Sequence, residues 1–413
     1  MKHFFCKAYG ALAFSTLLLF LLIPSPPIVN ALPIYEKFDL VEKWQPIKKR
    51  DPFKRPGVFD DIENSGSNLS LRLNHIEQGK FVVPFQNGLK TIYTLDPSLQ
   101  QAMKSFFQKN KVPYGVFIAM NPHTGKILAF VEHSSKEPHA KHLALRATYP
   151  AASIFKVVTA SAALEEKQAD PETLLNRFRS SDQTTLANAF ARSDNSAFSD
   201  VALRYLDVKT LVRYANRFQF NQKIPFEMPV QVSRVRAEDS RNGLANLAAG
   251  FGNVGLSPLH AALIVSAIAN NGAMVTPCLV DKVVTTTGKP IFECVPKVFA
   301  KAISAETAAQ LKRMMGLTIT EGTGRKAFKN AYREPALREI TVGGKTGSLT
   351  GDNPKGKVSW FVGMAPLDHP EIVISALVVN STSPRYWKIK SGDAAKVGFV
   401  NYFKSKSKQQ IRS

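Results

Sequence analysis

Cysteine is scarce in this chain: Cys6, Cys278 and Cys294 are the 3 present in 413 residues. Nothing has zinc-finger spacing, and His133, His139 and His142 have no carboxylate or cysteine placed to complete a metal site, so they read as a solvated loop. Neither metal nor cofactor is expected. Cys278 and Cys294 flank what reads as a hairpin, so one disulfide is open to them, although sequence alone does not bring their Cβ atoms together. Acidic residues are also in short supply, 32 against 54 lysines and arginines, for a net charge of +22. Such an excess attracts nucleic acid, an anionic membrane surface or a polyanionic polymer. No RNP-like segment or heptad-linked basic region supports nucleic acid. The basic residues are scattered, and their plainest reading is a solvated basic surface. There is no internal repeat. The most apolar run, Ala8 to Ile23, is short for a membrane span of about 20 residues.

What is present begins with that run. Lys2 and Lys7 precede it, Pro24, Pro26 and Pro27 end it, and Val29-Asn30-Ala31 is a small-residue cleavage site, so residues 1–31 read as a secretory signal. An uncleaved membrane anchor is the alternative. Either way, the remainder is expected outside the cytoplasmic membrane. Residues 32–90 read as a basic linker, with Lys48-Lys49-Arg50, Lys54-Arg55, scattered prolines and a loop-like Asp60–Asn68 stretch. Such a segment either meets anionic headgroups or merely stays soluble. A packed domain is expected over residues 91–413, where the hydrophobic content (44% of the whole chain) is ample for a core.

Asp96-Pro97 is a cap followed by proline at the first helical position, and Leu99, Ala102, Met103, Phe106 and Phe107 supply a helical stripe. Val116–Met120 and Lys126–Val131 read as strands joined by Asn121-Pro122-His123-Thr124-Gly125. A mostly helical middle follows, including a helix started by Ser257-Pro258 and ended by Asn271-Gly272. Leu279–Val284 and Ile291–Val295 make a satellite hairpin, and Ser304 caps a further helix. Strands are expected at Thr341–Thr346, Ser359–Met364 and Ile372–Val379, then an amphipathic helix at Ala394–Phe403. Hairpin first, helices between and strands last imply an α+β domain. Its antiparallel sheet is built from both chain ends, flanked by helices, with a mainly helical lobe.

Three short motifs carry chemistry. Tyr149-Pro150-Ala151-Ala152-Ser153-Ile154-Phe155-Lys156 sets Ser153 and Lys156 three apart at the start of a helix, on one face. A serine hydroxyl needs a base, and a desolvated lysine can serve. Ser-x-x-Lys arises by chance roughly once or twice in such a length. It is followed, however, by Ser193-Asp194-Asn195 and then by Lys345-Thr346-Gly347-Ser348, triplets each expected on the order of 0.1 times. Singly, Ser153 reads as a helix cap, Lys156 as a solvated lysine, Asn195 as a turn residue and Thr346 as an ordinary strand position. The ordered set reads as an acyl-transfer site.

With these motifs the chain resembles the transpeptidase domain of penicillin-binding proteins, from about Thr94 to Phe403. The resemblance extends to Thr94–Gln100, Asn121–Ala129, Leu256–Ala262, Thr320–Gly324 and Trp360-Phe361-Val362-Gly363-Met364-Ala365-Pro366. It implies a penicillin-binding transpeptidase or serine β-lactamase-like fold, and a D,D-transpeptidase that cross-links peptidoglycan stem peptides in a bacterial cell envelope. On that pattern Ser153 attacks the penultimate D-Ala carbonyl, and a neutral Lys156 is the base. Burial and the nearby Lys345 ammonium would lower the Lys156 pKa. Ser193 would relay a proton to the leaving amine, and Asn195 would orient Lys156 and the substrate amide. Backbone N–H groups of Ser153 and Ser348 would form the oxyanion hole. Lys345 and Thr346 would hold the substrate carboxylate, or that of an inhibiting β-lactam, and Gly347 would keep the edge strand bare.

Residues 32–89 are too few for a glycosyltransferase module, so a separate glycosyltransferase partner is expected. A D,D-carboxypeptidase is the alternative, with water as acceptor. A β-lactamase is less favoured, because Glu172 precedes Ser193 and neither Glu227 nor Glu238 sits in the expected context for deacylation. A β-lactam-acylated sensor or scaffold is the reading from another class; nothing here resembles a cytoplasmic signalling domain.

Overall fold

The computed structural model describes residues 75–84, 88–177 and 182–410. The expected signal segment and most of the expected linker lie outside these residues. Five strands form the central antiparallel sheet: β1 (Tyr114–Met120), β2 (Ile127–Ser134), β3 (Gly343–Asp352), β4 (Lys355–Ala365) and β5 (Ile372–Asn380). Their spatial order is β3-β4-β5-β1-β2. Thus β5, from the C-terminal part, pairs with β1, from the N-terminal part, with Leu377 opposite Val116. The expectation of an α+β fold joining both chain ends is met.

Along the chain the longer helices are α1 (Pro97–Lys109), α2 (Lys156–Glu165), α3 (Leu186–Arg192), α4 (Asn195–Tyr205), α5 (Val208–Arg217), α6 (Arg241–Ala249), α7 (Pro258–Ala269), α8 (Ala305–Thr320) and α9 (Ser391–Gln410), with a single helical turn at Arg325–Phe328. Asp96 caps α1 by accepting from Leu99 N–H at 2.8 Å, with Pro97 at the first helical position. Ser257 and Ser304 cap α7 and α8 in the same way. Each cap meets a backbone donor that a helix start would otherwise leave without a partner.

Alternate residues of the sheet serve two cores. Val116, Ile118, Met120, Trp360, Val362 and Met364 face the helical lobe, where α7 is buried on all sides. Phe117, Ala119, Phe361 and Ala365 face the layer of α1 and α9, packing with Leu99, Phe107 and Phe399. A sheet covered on both faces has apolar residues at successive positions, which explains the continuous apolar runs of β1 and β5. No helix among the described residues is long and apolar enough to cross a membrane.

A second five-stranded sheet differs from expectation at its start. Strands Ile76–Glu77, Lys80–Pro84 and Lys90–Tyr93 join Val280–Val284 and Pro290–Glu293. Paired structure therefore reaches back from residue 91 into the segment read as linker. Phe81 and Val82 are buried there, but the glycine and lysines around them hide so short a strand signal. Cys278 and Cys294 are joined by a disulfide at this sheet.

One contact ties the central sheet to the segment carrying Ser153. Trp360, fully buried in β4, donates its indole N–H to the Pro150 carbonyl at 2.9 Å. Its ring also meets Tyr149 edge-on, with centroids 6.1 Å apart. Trp360→Phe keeps an aromatic ring but leaves that carbonyl without its donor, which costs about 1–3 kcal/mol, and the lost pyrrole half of the indole adds a cavity cost. A lowered urea midpoint at unchanged m-value is the expected result. An unchanged midpoint would refute the anchoring role.

Candidate active site

Ser153 sits in a single 3-10 turn, Ala152–Ile154, and Lys156 is the first residue of α2. Ala152 has φ 48°, a left-handed conformation unusual for alanine. The loop closing α6 fits against this turn: Gly250 has φ 89°, and a Cβ there would lie 2.3 Å from the Ala152 carbonyl oxygen. Only glycine meets both conditions. Gly250 ends α6 so that its last carbonyls face α2. Thr159 Oγ1 donates to the Ala248 carbonyl at 3.0 Å, and Lys156 Nζ to the Ala249 carbonyl at 2.5 Å.

Lys156 Nζ also lies 2.9 Å from Ser153 Oγ and 2.7 Å from Asn195 Oδ1. Ser153, Lys156 and Asn195 therefore meet at one nitrogen. The Ser193-Asp194-Asn195 triplet is a helix junction. Ser193 ends α3 in a left-handed conformation, and Asp194 caps α4, accepting from Ala197 N–H at 3.1 Å. Arg177 Nε holds the other Asp194 oxygen at 2.7 Å. Asp194 thus shapes the junction that turns Ser193 and Asn195 into the cleft. Hydrogen bonds and the Arg177 charge hold its carboxyl below the usual range, against the opposing and largest effect, burial.

Lys345 lies on β3, fully buried. Its Nζ donates to Ser193 Oγ at 2.9 Å and to the Thr346 carbonyl at 3.0 Å. Each lysine therefore serves one serine, Lys156 with Ser153 and Lys345 with Ser193. The β3 edge passes close to the nucleophile: a Cβ on Gly347 would lie 3.3 Å from both Ser153 N and Ile154 N. Ser348 follows, exposed in the cleft. Thr346 Oγ1 is 2.5 Å from Thr323 Oγ1, in the turn that follows α8. Every expected site residue lines this cleft or is bonded to residues that do. The cleft has a volume of about 780 Å3.

Burial dominates the electrostatics. It lowers the Lys156 pKa to about 7, while the Asp194 carboxylate acts in the opposite sense. Burial, and then the Lys156 charge, hold Lys345 well below the ordinary lysine range. The rings of Phe198 and Phe190 lie 5.6 and 5.5 Å from the two Nζ atoms. Desolvation of Lys156 was expected; its closure by the α6 carbonyl was not. Sequence reasoning also missed the support from Thr323 and Arg177. Thr323 lies inside the Thr320–Gly324 stretch already noted, whereas nothing local marks Arg177. His133 is in β2, with its ring stacked on Phe107. Among the described residues, no cluster of His, Cys, Asp and Glu could hold a metal.

The model of the penicillin-binding protein transpeptidase domain matches residues 115–397, more than half of the chain. The chain belongs to the penicillin-binding protein transpeptidase family. It is 28% identical over 341 residues to the stage V sporulation protein D of Bacillus subtilis, covering 72% of this chain and 50% of that protein. It is also 28% identical over 337 residues to the peptidoglycan D,D-transpeptidase PbpA of Mycobacterium tuberculosis, covering 70% of this chain and 66% of that one. This chain thus spans one half to two thirds of these relatives.

Among solved structures, it is similar to the D,D-transpeptidase domain of a peptidoglycan glycosyltransferase from Eggerthella lenta, with 26% identity and TM-score 0.63. That match covers 76% of this chain and 83% of the other. A ceftriaxone acyl-enzyme complex of penicillin-binding protein A from M. tuberculosis matches at 25% identity and TM-score 0.62, covering 76% and 79%. The fold of this family is the one expected from the motifs.

A lysine acting as base must be neutral. Acylation should therefore fall about tenfold per pH unit below pH ~7 and level off above it, since protonation at low pH removes the base. Rates of covalent labelling of Ser153 by a fluorescent penicillin between pH 5 and 9 provide the check. A flat profile would rule out Lys156 as the titrating base. Lys156→Arg, permanently charged, should lower the plateau rate by about 100-fold or more.

Proposed function

We propose that this chain is a peptidoglycan D,D-transpeptidase that forms an acyl-enzyme on Ser153 and is inhibited covalently by β-lactams. The carrying observation is the pair of buried lysines, each 2.9 Å from a serine hydroxyl across one cleft. Ser153 Oγ attacks the penultimate D-Ala carbonyl of a stem peptide, and its proton passes to neutral Lys156. Developing charge on the carbonyl oxygen is met by the backbone N–H groups of Ser153 and Ser348. The C–N bond then breaks. The leaving D-Ala amine takes a proton through Ser193, which lies against Lys345. Attack of an acceptor amine on the Ser153 ester completes the cross-link and returns the serine.

Lys345 and Thr346 hold the terminal carboxylate of the donor. An arriving anion stabilises the charged form of Lys345 and so draws a proton to it. Asn195 holds Lys156 in position and offers its amide to the substrate backbone. The acyl-enzyme complex of the M. tuberculosis relative supports covalent capture of β-lactams.

Hydrolysis of the adduct needs a base near the ester, and the surroundings argue against rapid turnover. Among the described residues, the carboxylate lining the cleft is Asp393, which accepts from Lys390 N–H at 2.8 Å. Glu227 instead accepts from Leu279 N–H at 2.7 Å and from Val280 N–H at 3.1 Å. The name of the M. tuberculosis relative, a peptidoglycan D,D-transpeptidase, supports a place in bacterial cell-wall synthesis. On that basis the reaction belongs on the outer face of the cytoplasmic membrane, with a separate glycosyltransferase supplying the glycan.

Labelled penicillin should form a lasting adduct on Ser153 that Ser153→Ala abolishes. A stem-peptide or thioester donor supplied with an amine should give the cross-linked amide. Loss of the adduct within seconds would shift the reading to a β-lactamase, and release of only the free acid in the presence of amine would shift it to a carboxypeptidase.

A further inference from the structure

The cleft continues past the reacting groups, and its far end is basic. Lys357 of β4 lies opposite Thr350 of β3 and opposite Asn380 of β5. Asn380 is buried, and its Nδ2 donates to the Ile389 carbonyl at 3.0 Å. That bond fixes the segment carrying Lys388 and Lys390 beside Lys357. Trp387 donates its indole N–H to the Ser381 carbonyl at 2.7 Å, and Lys390 Nζ stands 5.2 Å from the Trp387 ring centre. Lys357, Asn380, Trp387, Lys388, Ile389 and Lys390 line the same cleft as Ser153. Among the described residues, Lys357, Lys388 and Lys390 have no acidic partner, and the Asp393 carboxylate is held by the Lys390 backbone N–H.

The direction of the substrate follows from the site. Its terminal carboxylate is at Lys345 and Thr346, and its reacting carbonyl is at Ser153. The peptide upstream of that carbonyl must then leave along β3 in the sense of Ser348, Leu349 and Thr350. An extended chain advances about 3.4 Å per residue, so the Lys357 level, at Thr350, is about 14 Å beyond Thr346. We propose that Lys357, Lys388 and Lys390 form a second carboxylate subsite. It selects donor peptides bearing an ionised acid about three to four residues upstream of the terminal carboxylate, and discriminates against the same peptides with that acid amidated. The proposal rests on the transpeptidase reading for the orientation of the donor. It also gives part of the basic excess of the chain a local role, since unpaired cations in a concave cleft act together on one ligand.

The test is competition, which requires no turnover. Two stem-peptide analogues, alike except for a free or an amidated upstream carboxyl, are titrated against labelling of Ser153 by fluorescent penicillin in the full chain. The free acid should protect at about tenfold lower concentration, the worth of one good charge-assisted contact. In Lys388→Gln/Lys390→Gln, and separately in Lys357→Gln, the ratio between the two peptides should fall towards one. A ratio taken within each protein cancels any general loss of folded material. Raising the salt concentration should reduce the ratio in the unaltered chain. Equal protection by the two peptides, including none by either, overturns the subsite, as does an undiminished ratio in the variants. Failure of either peptide to be consumed with an amine acceptor would count against the transpeptidase reading alone, because the protection ratio is read without turnover.

Discussion

The constraint on which the site depends is the burial of two lysines in one cleft. Lys156 and Lys345 are both fully buried. An isolated ammonium ion removed from water costs several kcal/mol even after relaxation, and such groups respond by shedding the proton. For Lys345 the Lys156 charge adds to that response, whereas for Lys156 the Asp194 carboxylate opposes it. The fold must still satisfy the donors that remain. It does so from four directions: the Ser153 turn, the junction of α3 and α4, the last carbonyl of α6, and β3. Remove any one, and a buried polar group loses its partner.

This convergence explains the local conformations. Ala152 and Ser193 both take left-handed backbone angles, and both adjoin or carry a reacting hydroxyl. Gly250 leaves room for the Ala152 carbonyl, and Trp360 holds the Pro150 carbonyl. Unfavourable backbone states persist where surrounding packing over-determines them. Here the packing is supplied by aromatic anchors and helix ends rather than by the catalytic side chains. The motif residues are therefore the visible part of a larger mechanical arrangement.

Much of that was legible from the residues. Helix starts at Asp96, Ser257 and Ser304 announce themselves because capping is local chemistry. The strands of the central sheet are long and apolar, and their existence was clear, but β3 and β4 extend well beyond the expected ends. Their outer halves, with Thr350, Gly351, Asp352 and Lys355 to Lys357, are polar and form strand only because they pair with each other. The short strands at Ile76–Glu77 and Lys80–Pro84 are visible only once Lys90–Tyr93 has paired with Val280–Val284. Long-range pairing is also what makes Lys357 a neighbour of Lys388 and Lys390. Scattered lysines in sequence gave no sign of it. Asp194 is the converse case: it belongs to a recognised motif, yet its contacts are those of a helix cap.

The edge position of β3 makes the physical logic of the cleft complete. An unpaired strand edge ordinarily invites pairing with another chain, and proteins guard such edges. Here the helical lobe stands over the edge at Ser153, where a Cβ on Gly347 would lie a tight 3.3 Å from Ser153 N and Ile154 N. A peptide lying along the β3 edge could use its own backbone to satisfy that edge in extended form. On the proposed reading the terminal carboxylate sets the register, because Thr346 and Lys345 lie before Gly347 while Ser348 lies after it. Lys345, Thr346, Gly347 and Ser348 are thus ordered along β3, while Ser153 and Lys156 face them from the 3-10 turn and the start of α2. On the same reading the substrate upstream of its reacting carbonyl runs towards the basic end of the cleft, where Lys357, Lys388 and Lys390 stand.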